Sequence, residues 1–156
     1  MFPDLNNISS SKTFSMKKLI ICSLFFAVLA SCKKNQDKTC SLGTASVSGS
    51  YKATAARYKA TPTSPETDYY NQLYPDACEK DDIITLNVNG TYIFNDAGIK
   101  CSPPGDDTGI WSLSGNTVTI DGDPANVDNF NCSTMTLSIS DVVNIGDKLI
   151  LVLTRQ

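Results

Sequence analysis

Short runs of alternating apolar and polar residues fill most of the chain after position 46, and each reads as a strand with one buried face. The clearest run is 110–120. Pairing across a type II′ turn at Gly115-Asn116 sets Leu113 against Val118 and Trp111 against Ile120, all on one face, while Ser112, Thr117 and Thr119 take the other. Residues 83–94, IITLNVNGTYIF, predict a second hairpin with two competing registers. A two-residue Asn89-Gly90 turn pairs Leu86 with Ile93 and mixes polar and apolar residues on both faces. A slip of one residue, with Gly90 in the left-handed position of a three-residue loop, pairs Leu86 with Tyr92 and Ile84 with Phe94. That register makes one face wholly apolar. Because a slip of one turns every side chain over, burial selects it.

Three further runs are strands with weaker patterns. In residues 47–60, Val47, Gly49, Tyr51, Ala53 and Ala55 share a face, opposite Ser48, Ser50, Lys52 and Thr54. Met135, Leu137 and Ile139 alternate with Thr136 and Ser138. Residues 148–154, KLILVLT, are apolar on both faces, so the outer side of that strand is expected to lie under the N-terminal segment or a loop. Between the strands, residues 61–77 hold three prolines and predict a long loop. Its Tyr69, Tyr70 and Tyr74 read in two ways: as a cap on the open end of the domain, or as a rim that contacts a ligand. Residues 101–109, CSPPGDDTG, are turn-rich, and residues 121–130, DGDPANVDNF, read as a solvated acidic loop. A calcium loop fails there, because the spacing lacks the D-x-[DN]-x-[DN]-G order and the closing Glu. The sum is an all-β domain, an antiparallel meander of about seven or eight strands closed as a barrel or packed as a sandwich.

The N-terminal part departs from this pattern. Met16 is followed by Lys17, Lys18 and an apolar run from Leu19 to Leu29 broken only by Ser23. The run has the length of a signal-peptide core and falls short of the roughly 20 residues that span a bilayer. It ends in Leu29-Ala30-Ser31-Cys32, which is similar to the bacterial lipobox. Small residues fit a narrow peptidase cleft, and the Cys32 thiol is the nucleophile that takes up acyl chains; two or more chains give stable anchoring. The competing reading is a plain secretory signal cut near Ala30. The expected organisation is therefore an upstream extension (1–15), a signal peptide (16–31), a lipidated polar tether (32–45) and the β domain (46–156). The basic Lys33-Lys34 after Cys32 does not match the acidic tags of surface-exposed lipoproteins, so the expected location is the outer membrane facing the periplasm, with the cell surface as the alternative.

Charge and cysteines narrow the function. The formal net charge of −3 becomes more negative once Lys12, Lys17 and Lys18 leave with only Asp4, which argues against a nucleic-acid partner. Four cysteines remain beyond Cys32, an even number in an exported chain, and so a disulfide framework is expected. In the selected hairpin register Cys78 and Cys101 fall within one residue of opposition at its open end. They are paired on that ground, and Cys40 with Cys132 by elimination. Zinc is the competing use of these thiols, but the chain has no C-x-x-C spacing and no histidine. No cofactor motif is present. Without histidine the usual general base is missing, and the adjacent pairs Asp81-Asp82 and Asp106-Asp107 point to opposite faces of an extended chain. A binding or structural protein is expected, not an enzyme.

The series Gly49-Ser50-Tyr51, Cys78-Glu79-Lys80-Asp81-Asp82 leading into a strand, Asn89-Gly90-Thr91-Tyr92, Cys101 and Gly109-x-Trp111-x-Leu113 resembles the lipocalin-like domains of bacterial lipoproteins. The resemblance covers residues 46–154 and implies an antiparallel up-and-down barrel or half-barrel with a mouth, able to hold a small apolar molecule. Tyr51 stands where lipocalins carry tryptophan, so the plug at the closed end is expected to differ. Under this reading the membrane is met through acyl chains on Cys32, and the candidate ligand contacts are Tyr69, Tyr70 and Tyr74 on the rim with Tyr51, Phe94 and Trp111 inside. The alternative is a structural or interaction lipoprotein whose barrel is filled by its own side chains.

Overall fold

A computed structural model describes residues 40–156. In order these form α1 (Thr44–Val47), β1 (Gly49–Lys59), β2 (Thr67–Asp68), α2 (Tyr70–Leu73), β3 (Ile83–Leu86), β4 (Thr91–Asn95), β5 (Asp107–Ser114), β6 (Thr117–Ile120), β7 (Asp123–Phe130), β8 (Thr134–Ser140) and β9 (Lys148–Arg155). From β3 to β9 each strand pairs antiparallel with the next, and β1 pairs with both β3 and β9. The sheet thus closes on itself as an eight-stranded up-and-down barrel, with β2 as a short appendage on β1. Of the barrel and half-barrel forms expected, it is the closed one.

Both hairpins take the registers that burial selects. Leu86 faces Tyr92 and Ile84 faces Phe94, with Gly90 at φ 84°. Asn87 donates its N–H to the Thr91 carbonyl at 2.8 Å and Gly90 donates to the Asn87 carbonyl at 3.0 Å, closing the loop. In β5–β6, Trp111 faces Ile120 and Leu113 faces Val118, around Gly115 at φ 55°. The disulfides join Cys78 to Cys101 and Cys40 to Cys132, with Cα atoms 5.2 and 5.7 Å apart.

Three expectations need correction. Residues 121–130 are not a loop: Asp121 and Gly122, at φ 49° and 98°, make a tight turn of the I′ kind, and β7 follows at once. Polar residues and Pro124 disguise that strand. Its inward positions Ala125 and Val127 pair with Val118 and Leu137, and a bulge after Val127 then brings Phe130 opposite Met135. Second, Val47 does not begin β1 but lies in the single turn of α1, where it is fully buried. Third, a bulge between Ala53 and Ala55 shifts the phase of β1, so Ala56 is buried in place of Ala55.

One end of the barrel is filled. Val47, Tyr51, Leu86, Trp111, Val127 and Met135 belong to one buried cluster. The Tyr51 hydroxyl donates to the Val47 carbonyl at 2.7 Å and accepts from Arg155 Nη2 at 2.7 Å. The same guanidinium nitrogen donates to the Ser46 carbonyl, and the guanidinium carbon stands 5.2 Å from the centroid of the Tyr51 ring. Gly49 leaves space for this arrangement, since a Cβ there would lie 3.1 Å from Arg155 Cζ. Trp111 completes the plug by donating its indole N–H to the Asn87 carbonyl at 2.8 Å.

The seam between β1 and β3 is short, Gly49 to Tyr51 against Leu86 to Ile84. Beyond it, the edge of β1 is capped by the chain around α2: Tyr69 donates its N–H to the Ala56 carbonyl at 2.9 Å, and the Tyr70 hydroxyl donates to the Ala53 carbonyl at 3.1 Å. On the outer side of β9, Ile150 is buried in a groove shared with Lys59, Pro62 and Asp128. The loop carrying Pro62 therefore helps to cover the strand that is apolar on both faces.

Candidate functional site

Strand direction assigns the barrel ends different chemistry. The tight turns 87–90 and 115–116 lie at the filled end, whereas the long connections 60–82 and 96–106 and the turns 121–122 and 141–147 surround the other end. This second end is the mouth. It carries most of the acidic residues of the described domain, because strand interiors favour β-branched and aromatic residues while connections tolerate Asp.

Below the mouth lies a cavity of about 270 Å³. The inward alternation of the strands supplies its wall: Ile84 from β3, Phe94 from β4, Ile120 from β6, Ala125 from β7, Leu137 from β8 and Leu151 from β9. Tyr51 is at the floor, so the plug of the filled end is also the base of the cavity. Tyr74, Glu79, Asp82 and Asp123 complete the lining at the mouth. Asp82 extends the inward parity of Ile84 and Leu86 by one step, and Asp123 faces Ile120 across the β6–β7 ladder. Their positions follow from the same alternation that builds the wall.

Among the described residues, no basic side chain lines this space. Desolvation pushes the Asp82 carboxyl above its ordinary value, with the nearby charges of Asp96, Asp81 and Glu79 adding to the rise. The Ala97 N–H, donating to Asp82 Oδ1 at 3.2 Å, opposes it. Burial likewise raises the Tyr74 hydroxyl, helped by Tyr70, Asp82 and Glu79. Glu79 Oε2 accepts the Asp76 N–H at 3.1 Å.

Other polar groups brace the mouth. Tyr92 donates to Asp121 Oδ2 at 2.5 Å and lies 3.2 Å from Asp107 Oδ2, and this raises its hydroxyl far above the usual range for tyrosine. Gly109 makes room, because a Cβ there would overlap the Asp121 carboxylate and come within 2.6 Å of the Tyr92 ring. Asp147 holds the 141–147 turn by accepting the N–H groups of Val142, Val143 and Asn144 and the Tyr58 hydroxyl. Burial alone would raise its carboxyl, but these donors together hold it below the ordinary value. Asp96 is fully buried and accepts from the Cys101 and Gly105 N–H groups, which fixes the loop below the Cys78–Cys101 bridge.

Of the aromatic residues picked out from sequence, Tyr51, Tyr74 and Phe94 line the cavity. Trp111 lies in the plug. Tyr69 packs against Tyr58, with ring centroids 5.3 Å apart, and Tyr70 against Tyr74 at the same separation, so both stand outside the lining. Cys32, the signal segment and the extension before it lie outside the described residues. Glu79, Asp82 and Asp123 are not among the contacts expected from sequence, where Asp82 counts as half of an adjacent acid pair; its parity with Ile84 is the available signal. Among the described residues, no group of three or more Cys, Asp or Glu is placed to hold a metal ion, and no helix is long and apolar enough to cross a membrane.

Comparison with known proteins agrees with the geometry. No curated protein matches the chain. Residues 47–139, from the buried valine of α1 to the end of the apolar run in β8, match the lipocalin-like domain family. A closed antiparallel barrel, plugged at one end and hollow at the other, and a family match over more than half of its length together place this chain in the family of lipocalin-like domains.

Proposed function

We propose that this protein is an exported, lipid-anchored barrel that holds a small apolar molecule in the cavity beneath its mouth. The observation that carries the reading is the cavity itself, about 270 Å³ walled largely by aliphatic and aromatic side chains inside the barrel. A barrel filled by its own side chains would leave no such space, and only the plugged half answers to that description. The Leu29-Ala30-Ser31-Cys32 sequence supports anchoring, with acyl chains on Cys32 and the domain held in the cell envelope at the outer membrane.

The cavity is tested by titrating purified protein with N-phenylnaphthylamine, an apolar fluorophore that brightens on leaving water. Saturable binding with one site per chain is expected. Ala125→Phe, which adds a ring to the wall, should abolish the signal while leaving cooperative unfolding in place. Equal brightening by the wild-type and filled variants would refute a cavity site. Anchoring has its own test, in which labelled palmitate incorporates into the wild-type protein and not into Cys32→Ala.

A further inference from the structure

We infer that the occupant is an amphipathic cation, with an apolar body in the barrel and a protonated amine or quaternary ammonium at the mouth. This rests on the reading of the cavity as a binding site and adds its polarity. Glu79, Asp82 and Asp123 are carboxylates on the lining, and among the described residues no lysine or arginine accompanies them. A polar group entering at the mouth meets these carboxylate acceptors and the Tyr74 hydroxyl, while the Tyr51 hydroxyl at the floor is already donating to the Val47 carbonyl.

Two of the three carboxylates, Glu79 and Asp82, are partly buried, and Asp82 occupies an inward position. Asp123 is exposed at the rim, where it faces Ile120 on the inner side of the β6–β7 pair. Asp82 Oδ1 accepts the Ala97 N–H, and among the described residues no protein donor engages its Oδ2 or either carboxylate oxygen of Asp123. These oxygens are available to a ligand's donors. Tyr74, also on the lining, adds an aromatic ring, a group of the kind that attracts ammonium. A fatty carboxylate would instead bring its charge against like charges in a region of reduced dielectric. Asp81, Asp106 and Asp107 extend the negative field around the opening, which Lys80 and Lys100 offset only in part, and would draw cations towards it. The raised Asp82 carboxyl is what a carboxylate without a cationic partner shows, and a bound cation would reverse it.

The test is calorimetric titration of the purified protein at pH 7 with octylammonium, octanol and octanoate, which share one chain and differ in head charge. Octylammonium should bind at least about fivefold more tightly than octanol, the upper range for one partly screened ion pair, and octanoate should bind most weakly. Asp82→Asn combined with Asp123→Asn should bring the ratio of ammonium to alcohol affinity towards one. Added salt should narrow the same ratio in the unaltered protein, a measurement that stands even if the double variant does not fold. Octanol binding as tightly as octylammonium, or a ratio indifferent to both salt and substitution, overturns the cationic assignment and leaves the cavity reading standing. No saturable binding by any of the three overturns both.

Discussion

Replacing Tyr51 by Phe removes one oxygen atom and tests how the filled end is held. That oxygen donates to the Val47 carbonyl and accepts from Arg155, each at 2.7 Å, in a part of the barrel where Val47 and Tyr51 are both fully buried. A neutral buried hydrogen bond contributes about 1 kcal/mol and one to a charged group about 1.5–3 kcal/mol. Arg155 cannot easily turn elsewhere: its Nη2 retains the Ser46 carbonyl, but its buried Nε already has no partner among the described residues. The loss should therefore be about 3 kcal/mol. For a domain of this size that corresponds to a fall of roughly 10 °C in Tm. Urea unfolding followed by fluorescence is well suited, because Trp111 is the sole tryptophan and lies inside the same plug. The midpoint should drop with an unchanged slope. A loss below about 0.5 kcal/mol would refute the reasoning, since it would mean that α1 and Arg155 are held independently of this hydroxyl.

The other expectations concern the bridges and the acid limb. Removing Cys40–Cys132, which spans 92 positions, should cost about 4–5 kcal/mol in the loop-entropy account, against about 3 kcal/mol for Cys78–Cys101, which spans 23. Paired Cys→Ser variants compared in urea would reverse this order if strain, not loop length, governs the bridges. The Tyr92 hydroxyl and then the Ile110 N–H hold the Asp121 carboxyl below its ordinary value. Its contribution is therefore complete above the unfolded carboxylate pKa, about 3.9, and is lost as pH falls from there through the folded value. The stability gap between wild type and Asp121→Asn should close in that acid window. A gap that persists undiminished at lower pH would contradict the assignment. For Tyr92 the sign is opposite: its raised hydroxyl contributes fully below about pH 10 and loses that contribution as pH rises further.

What could be read from sequence was decided by burial acting on strong alternation. In the β3–β4 hairpin only one register gathers Ile84, Leu86, Tyr92 and Phe94 on a face, and that register also brings Cys78 near Cys101. The β7 strand escaped because its inward set is small: Ala125, Val127 and, after a bulge, Phe130. The Asp121-Gly122 pair was nonetheless a turn signal in plain view. The α1 turn and the bulge in β1 are tertiary effects that a strict period of two cannot express. The cavity was less legible still. Alternation says that Phe94 and Trp111 both point inward, but not that Trp111 fills the plug while Phe94 borders empty space. That distinction depends on position along the barrel axis and on how much volume neighbouring strands supply, and the binary pattern carries neither. The same blindness hides the place of Asp82 on the lining, since adjacency in sequence shows only that it and Asp81 point to opposite faces.

The bond between Cys40 and Cys132 also bears on how the molecule withstands proteases. Any single cut between those two positions, including one in the proline-bearing segment around residues 61–66, yields fragments that stay covalently joined. Neither fragment can diffuse away from the other. Damage of this kind would be silent on a non-reducing gel and would show as two bands only after thiol treatment.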